Sequence, residues 1–451
     1  MRVRKAPPGM LSAPMPTAAT SDRSPGRPIT VVAIDMGYGH LRAAHALADA
    51  LGTPVLEIDR APLAGPGEEA RWRRVRSGYE ALSRLSQVPL LGRPTRRLLE
   101  AITAIPHLHP HRDQSPPTGA VRWLERLARS GVGERLVAHL RTTGATLVTT
   151  FYAPAVMADL AGVDRIVCVV TDADLNRVWV PRDPRKSHIH YATPSERAGR
   201  RLRAYGVPPE RIHLTGFPLP GELLAGEDLG ALRSRLAARL VRLDPAGAFR
   251  AQLRDELAHL VGPLPVDAAG EAPLVTFAVG GAGAQAGMAH SLLASLRAPI
   301  LEGTIRLALV AGVRAEVAAS FRLWAEAAGL AGRLGSGLEI VYEESVPAYL
   351  RRFNRLLERT DVLWTKPSEL TFFAALGIPL VFARPVGVHE RLNRRWAIQR
   401  GAGLKQDDPR HAAEWLREWL EDGTLAAAAW SGYVRLPKFG TPRVIELARS
   451  L

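Results

Sequence analysis

Cysteine is almost absent from this sequence: Cys168 stands alone, which excludes an intrachain disulfide and a cysteine-ligated metal cluster and fits a cytoplasmic location. Lysine is nearly as rare, occurring at Lys5, Lys186, Lys366, Lys405 and Lys438, so the net charge of +15 is carried by arginine. An arginine excess suits anionic partners such as nucleic acid, an acidic membrane face or phosphorylated substrates. Spread along the chain as it is here, it equally reflects GC-rich coding. Aromatic residues make up only 6% of the chain, and there is no stacking platform, zinc spacing or helix-turn-helix pattern. Nucleic acid is therefore excluded as a partner. Long apolar runs are missing too, so no segment reads as a membrane span and any membrane contact is peripheral. Residues 1–28 are rich in Pro, Ser, Ala and Thr and lack the apolar core of a signal peptide, which reads as a disordered leader.

Two stretches that are present share one design. Leu274 to Val279 is an apolar, β-branched run that meets Gly280, Gly281 and Gly283 and then a helix-compatible segment. Pro28 onward repeats the order, with Gly37 and Gly39 followed by a helix starting near Leu41. Each predicts a strand, a tight turn and a helix N-terminus, where close backbone approach and the helix dipole favour a phosphate or diphosphate. One such unit opens each half of the 451 residues, which predicts an α/β protein of two domains facing a shared cleft. Further strands are expected at 54–58, 145–150, 165–170 and 189–192, and then at 305–311, 338–342, 361–364 and 380–383. Helical stretches alternate with them, so parallel sheets with right-handed crossovers are expected. A single helix is expected over 118–140, and a last helix with Thr441 as N-cap and Pro442 just inside. The expected division is a leader at 1–28, a first domain at 29–225, a linker or insertion at 226–270, a second domain at 271–435 and a terminal helix at 436–451.

Two features admit different readings. The segment 70–105 alternates arginines (Arg71, Arg73, Arg74, Arg76, Arg93, Arg96, Arg97) with Trp72, Tyr79 and Leu82, Leu85, Leu90, Leu91, Leu98 and Leu99. It reads as core-packed helices with a solvated arginine face, or as a basic amphipathic surface for anionic lipid. His107, His109 and His111 alternate in a proline-rich loop without a carboxylate partner at zinc-like spacing, so no metal site is expected.

The order of motifs resembles a GT-B glycosyltransferase, and more narrowly the monogalactosyldiacylglycerol synthase and MurG branch, over about residues 29–403. GYGHLRAA is similar to the family's glycine-rich loop ending in histidine, matching Gly37, Gly39 and His40. VVTDADLNRVW resembles its threonine-aspartate and tryptophan element, matching Thr171, Asp172 and Trp179. GGAGAQ resembles the donor diphosphate loop. The tract from Pro385 is similar to the donor motif, with Glu390 and Asn393 in place and His389 where glutamine is usual. The resemblance implies two Rossmann-like domains, a nucleotide sugar held by the second, and inverting, metal-independent transfer of a hexose from a UDP-sugar to a lipid or other hydrophobic acceptor, without a cofactor.

Chemistry supports the same assignment. Transfer from a nucleoside diphosphate sugar needs donors for the leaving diphosphate, which Gly280 to Gly283 and Lys366 supply, and a base for the acceptor hydroxyl. His40 and Asp172 are the candidates, the histidine having the better-matched pKa and the carboxylate acting directly or as its orienter. Glu390 and Asn393 offer partners for sugar hydroxyls. The chain departs from the family after Lys366-Pro367: the glycine pair is replaced by Ser368-Glu369, and the third residue after Thr371 is Ala374 where a ribose-holding glutamate is usual. Glu369 is the candidate to take over that ribose. The alternatives are a catalytically silent nucleotide-sugar-binding protein and a GT-B epimerase-type enzyme.

Overall fold

A computed structural model describes residues 27–85, 104–281, 283 and 285–451. The leader and the leucines and arginines at 90–99 of the amphipathic segment lie outside the described residues, as do the side chains of Arg76, Tyr79, Leu82 and Leu85. In the described part of that segment, Trp72 is buried in the first core while Arg71, Arg73 and Arg74 face solvent. No helix of the described residues is long and apolar enough to cross a membrane.

The chain folds into two six-stranded sheets whose pairings are all parallel. The first contains β1 (Ile29–Ala33), β2 (Val55–Glu57), β3 (Thr146–Thr149), β4 (Ile166–Val169), β5 (Ile189–Thr193) and β6 (Ile212–Leu214), in the order β2-β1-β3-β4-β5-β6. The second contains β7 (Leu274–Ala278), β8 (Arg306–Gly312), β9 (Leu338–Tyr342), β10 (Val362–Thr365), β11 (Leu380–Phe382) and β12 (Gly403–Lys405), in the order β12-β11-β10-β7-β8-β9. Parallel strands covered on both faces must be apolar throughout, and β3, β4, β7 and β10 are buried at every position. These are two Rossmann-like domains, the GT-B arrangement expected from the sequence.

In an open parallel sheet, ligands collect where the strand order reverses, beyond the carboxyl ends of the strands. That point falls between β1 and β3 in the first domain and between β7 and β10 in the second. The two glycine turns follow β1 and β7, so each sits at its domain's reversal point. They face each other: a Cβ on Gly281 would lie 3.5 Å from the Cα of Gly37.

Several boundaries differ from expectation for local reasons. The helix expected over 118–140 is two helices, Gly119–Arg129 and Glu134–Thr143, interrupted where Gly131 and Gly133 both take positive φ. The helix after β7 does not follow at once. Positive φ at Gly283 and Gln285 inserts a further turn, so the helix begins at Met288. The 369–376 segment is a 3-10 helix rather than an α-helix. Residues 226–270 carry the helix Gly230–Arg242, whose Leu232, Leu236 and Leu240 are buried in the core of the second domain. The last helix, Gly440–Ser450, returns to the first domain and covers β3 and β4 with Val444, Ile445 and Ala448. Thr441 is not its N-cap. It lies inside the helix, and its hydroxyl donates to the Leu219 carbonyl at 2.6 Å.

Candidate functional site

The first helix, Tyr38–Leu51, begins directly at its glycine turn. Gly37 is its N-cap at φ 116° and ψ 158°, a conformation that a residue with a Cβ rarely adopts. Gly39 and His40 therefore occupy the first turn. The His40 Nδ1–H donates to the Thr150 carbonyl at 2.6 Å, and the Thr171 hydroxyl oxygen lies 3.3 Å from the same nitrogen. Thr150 returns the contact, its hydroxyl donating to the His40 carbonyl at 2.9 Å. Because a carbonyl only accepts, Nδ1 carries the hydrogen and Nε2 is left with the lone pair. Burial pushes the imidazole below its ordinary pKa, against the opposing charge of Asp172. The ring is thus a neutral base with one fixed tautomer. Phe151 packs edge-on to it at 4.9 Å, and Trp179 and Tyr152 complete an aromatic wall. Trp179 was legible in the sequence, whereas Phe151 and Tyr152, in an ordinary strand-to-helix passage, carried no signal.

Asp172 follows β4 and does not orient His40 through Nδ1, since that nitrogen is held by Thr150. Its carboxylate instead accepts from the Asn393 amide at 2.7 Å. The second amide bond of Asn393 goes to the Pro367 carbonyl at 3.2 Å, and its carbonyl accepts from the Ala173 backbone N–H at 2.8 Å. Asn393 is fully buried and joins the two domains.

In the second domain, Lys366 follows β10 and lies along the glycine turn, where a Cβ on Gly280 would sit 2.5 Å from Lys366 Cε. A larger residue there would push the lysine tip from this position. Lys366 donates to Glu390 at 3.0 Å, and the other Glu390 oxygen accepts from the Val386 N–H at 2.7 Å. Burial alone would raise the Glu390 carboxyl, but the Lys366 charge, with His389 and the Val386 amide, holds it below the usual range. His389 sits beside Glu390 in the first turn of the helix Val388–Gln399, its ring against Gly387. The Gly283 N–H donates to the Gly280 carbonyl, and the N–H groups of Met288, Ala289 and His290 bond to the carbonyls of residues 285–287. The helix dipole therefore stands one turn back from the glycines.

Glu369 and Thr371 lie at the start of the 3-10 segment. Thr371 is fully buried and its hydroxyl has no hydrogen-bond partner among the described residues. The Glu369 carboxylate turns toward the first domain, where Arg42 Nε is 3.5 Å away and a Cβ on Gly39 would lie 3.2 Å from its oxygen. Arg42 and Tyr38, which the sequence did not single out, are thus parts of the site. Among the described residues there is no group of three or more His, Cys, Asp or Glu side chains able to hold a metal ion.

Residues 322–430 match a family described as a domain of unknown function (DUF6938). No curated protein matches the chain by sequence. Among solved structures, a UDP co-structure of MnaA from S. aureus is similar at TM-score 0.48 and 12% identity, covering 93% of this chain and 95% of that one. MurG from Acinetobacter baumannii is similar at TM-score 0.46 and 14% identity, with 94% and 100% covered. The glycosyltransferase SnogD from Streptomyces nogalater gives TM-score 0.42 and 15% identity, with 94% and 99% covered. Likeness at this level says nothing about chemistry, which rests on the side chains described above.

Proposed function

We propose that this protein is a GT-B nucleotide-sugar enzyme that transfers a hexose from a UDP-sugar to the hydroxyl of a lipid or other hydrophobic acceptor, with inversion. The observation that carries the reading is His40: a neutral imidazole with its tautomer fixed by Thr150, in the first turn of the helix whose glycine turn meets Gly281 of the second domain. In this scheme His40 Nε2 takes the acceptor proton as the oxygen attacks the anomeric carbon. The leaving diphosphate is met by Lys366 and the backbone of the Gly280 turn, which stabilise the charge that develops as the glycosidic bond breaks. Glu390 holds Lys366 in place, and in this reading it also meets a sugar hydroxyl. Asp172, paired with Asn393, sustains the field around His40 from the acceptor side. The aromatic wall of Phe151, Tyr152 and Trp179 suits an apolar acceptor.

Calorimetric titration with UDP, GDP, ADP and TDP, repeated with a Glu390→Ala variant, tests the donor half. Saturable binding of UDP, weakened in the variant, is the expected result. Binding of none of the four would remove the transferase reading. A second reading, a nucleotide-sugar-binding protein without transfer, draws on the replaced ribose carboxylate at Ala374 and on the engagement of Glu369 by Arg42. Nucleotide binding without turnover on any acceptor would favour it.

A further inference from the structure

The seam between the domains holds a cation in an unusual place. Arg42 belongs to the first domain, yet its side chain is 1% exposed and enclosed by second-domain residues. Its guanidinium carbon lies 4.7 Å from the ring centre of Phe353 and 5.6 Å from those of Tyr349 and Phe373. Its polar contacts are long: Nε to Glu369 at 3.5 Å and Nη2 to the Tyr349 hydroxyl at 3.3 Å, while Nη1 has no hydrogen-bond partner among the described residues. A guanidinium with five donors and two stretched hydrogen bonds is held mainly by ring faces. That attraction opposes the desolvation of a buried charge with one distant carboxylate.

Tyr38, one helical turn earlier, makes a parallel insertion. Its hydroxyl accepts from the Val313 N–H at 3.1 Å, and its ring packs on Tyr349 with centres 4.7 Å apart. A Cβ on Gly312 would lie 2.4 Å from the Tyr38 hydroxyl oxygen, so the tyrosine tip fills the space that Gly312 leaves. The Cβ position of Gly281 lies 3.5 Å from Gly37 Cα and 3.6 Å from the Tyr38 nitrogen. A methyl group there would already be in ordinary van der Waals contact, so the gap between Gly281 and the first helix is too narrow for a ligand.

We propose that the first helix is a latch: Arg42 in its aromatic cage and Tyr38 over Gly312 hold the cleft shut, and a nucleoside diphosphate reaches the Gly281 side of the donor turn only after both side chains withdraw. The latch itself stands on packing alone; its role as a gate rests on the nucleotide reading above. The second domain presents Glu369 as the acidic partner that Arg42 leaves behind. Withdrawal therefore frees this carboxylate for a ribose hydroxyl, so that donor and latch compete for one group.

The test uses the full chain labelled at Arg126→Cys in the first domain and Leu323→Cys in the second. Both positions are exposed, and the native Cys168 is buried and does not compete for label. Distance distributions between spin labels are recorded for the parent and for Arg42→Met and Tyr38→Ala, with UDP association followed by stopped flow. A single narrow distance is expected in the parent, with a longer or broader distribution and at least threefold faster UDP association in each variant. Distributions unchanged in the folded variants would overturn the latch. If one variant fails to fold, the other decides, because the two insertions fill different sites. Opened distributions with UDP rates equal to the parent's would overturn the gate. Opened distributions with no nucleotide bound by any form would leave the latch standing and refute the nucleotide reading instead.

Discussion

In the proposed reaction, His40 acts as a base without first losing a proton. Burial holds its pKa below 6.5, so at neutral pH the imidazole is already unprotonated. The expected profile of kcat/KM against pH rises with an inflection below 6.5 and is flat above it. Asp172 raises the His40 pKa through its charge, so Asp172→Asn should move that inflection to lower pH. A pH-rate profile with the inflection unmoved would separate the two residues. His40→Ala should lower kcat by about 10²–10⁴ while leaving UDP affinity near the parent value, as measured by turnover and calorimetry together. At this scale the sequence was informative where a motif named a residue. The motif resemblance named Asp172 and Asn393, which bond to each other across the seam, and Lys366 and Glu390, which pair beside the glycine turn of the second domain. The partners of His40 and Glu369 were a different matter. Thr150 holds His40 through its backbone carbonyl, which no side-chain identity advertises, and Arg42 reads as one more arginine on an amphipathic helix until a second domain is packed against it.

Gly440 illustrates how an element can depend on one missing methyl group. A Cβ there would lie 2.1 Å from the Phe217 carbonyl oxygen and 2.4 Å from its carbon, both backbone atoms that cannot swing aside. Gly440→Ala should therefore displace the last helix and destabilise the protein by about 1–3 kcal/mol or more. Gly119→Ala, with nothing within 4 Å of the new atom, should be close to neutral. Denaturant unfolding of the two variants checks the contrast. Largely apolar strands such as β4, β7 and β10 are readable from pattern because burial on both faces dictates their composition. The edge strand β2 was found at 54–58, but two other short edge strands were not. β6 and β12 are three residues each, with only partial burial, and Ile212–Leu214 and Gly403–Lys405 look like the turns beside them. The break between Gly119–Arg129 and Glu134–Thr143 was available in principle, since Gly131 and Gly133 stand in the middle of the pattern. The apolar periodicity on either side concealed it.

Two domains of α/β alternation were visible in the chain as a whole, because the strand–glycine–helix unit occurs once in each half. How far the cleft is closed was not, since closure depends on which side chains of one domain fit the gaps of the other. Net charge acts at this scale too. With +15 spread over the molecule, the proposed hydrophobic acceptor predicts sedimentation with anionic vesicles at low ionic strength and release as salt shortens the Debye length from about 10 Å at 0.1 M to about 3 Å at 1 M. Equal binding to neutral vesicles would show that charge is not the attractive force. The return of the last helix has a consequence for synthesis. Val31, Ala33, Leu41, Val148 and Val167 share a buried cluster with Val444, Ile445 and Ala448. Residues 440–450 leave the ribosome only after the entire second domain. At roughly 5–20 residues per second, the nascent first domain therefore waits roughly ten to forty-five seconds with that apolar face uncovered, the interval in which a chaperone has a surface to hold.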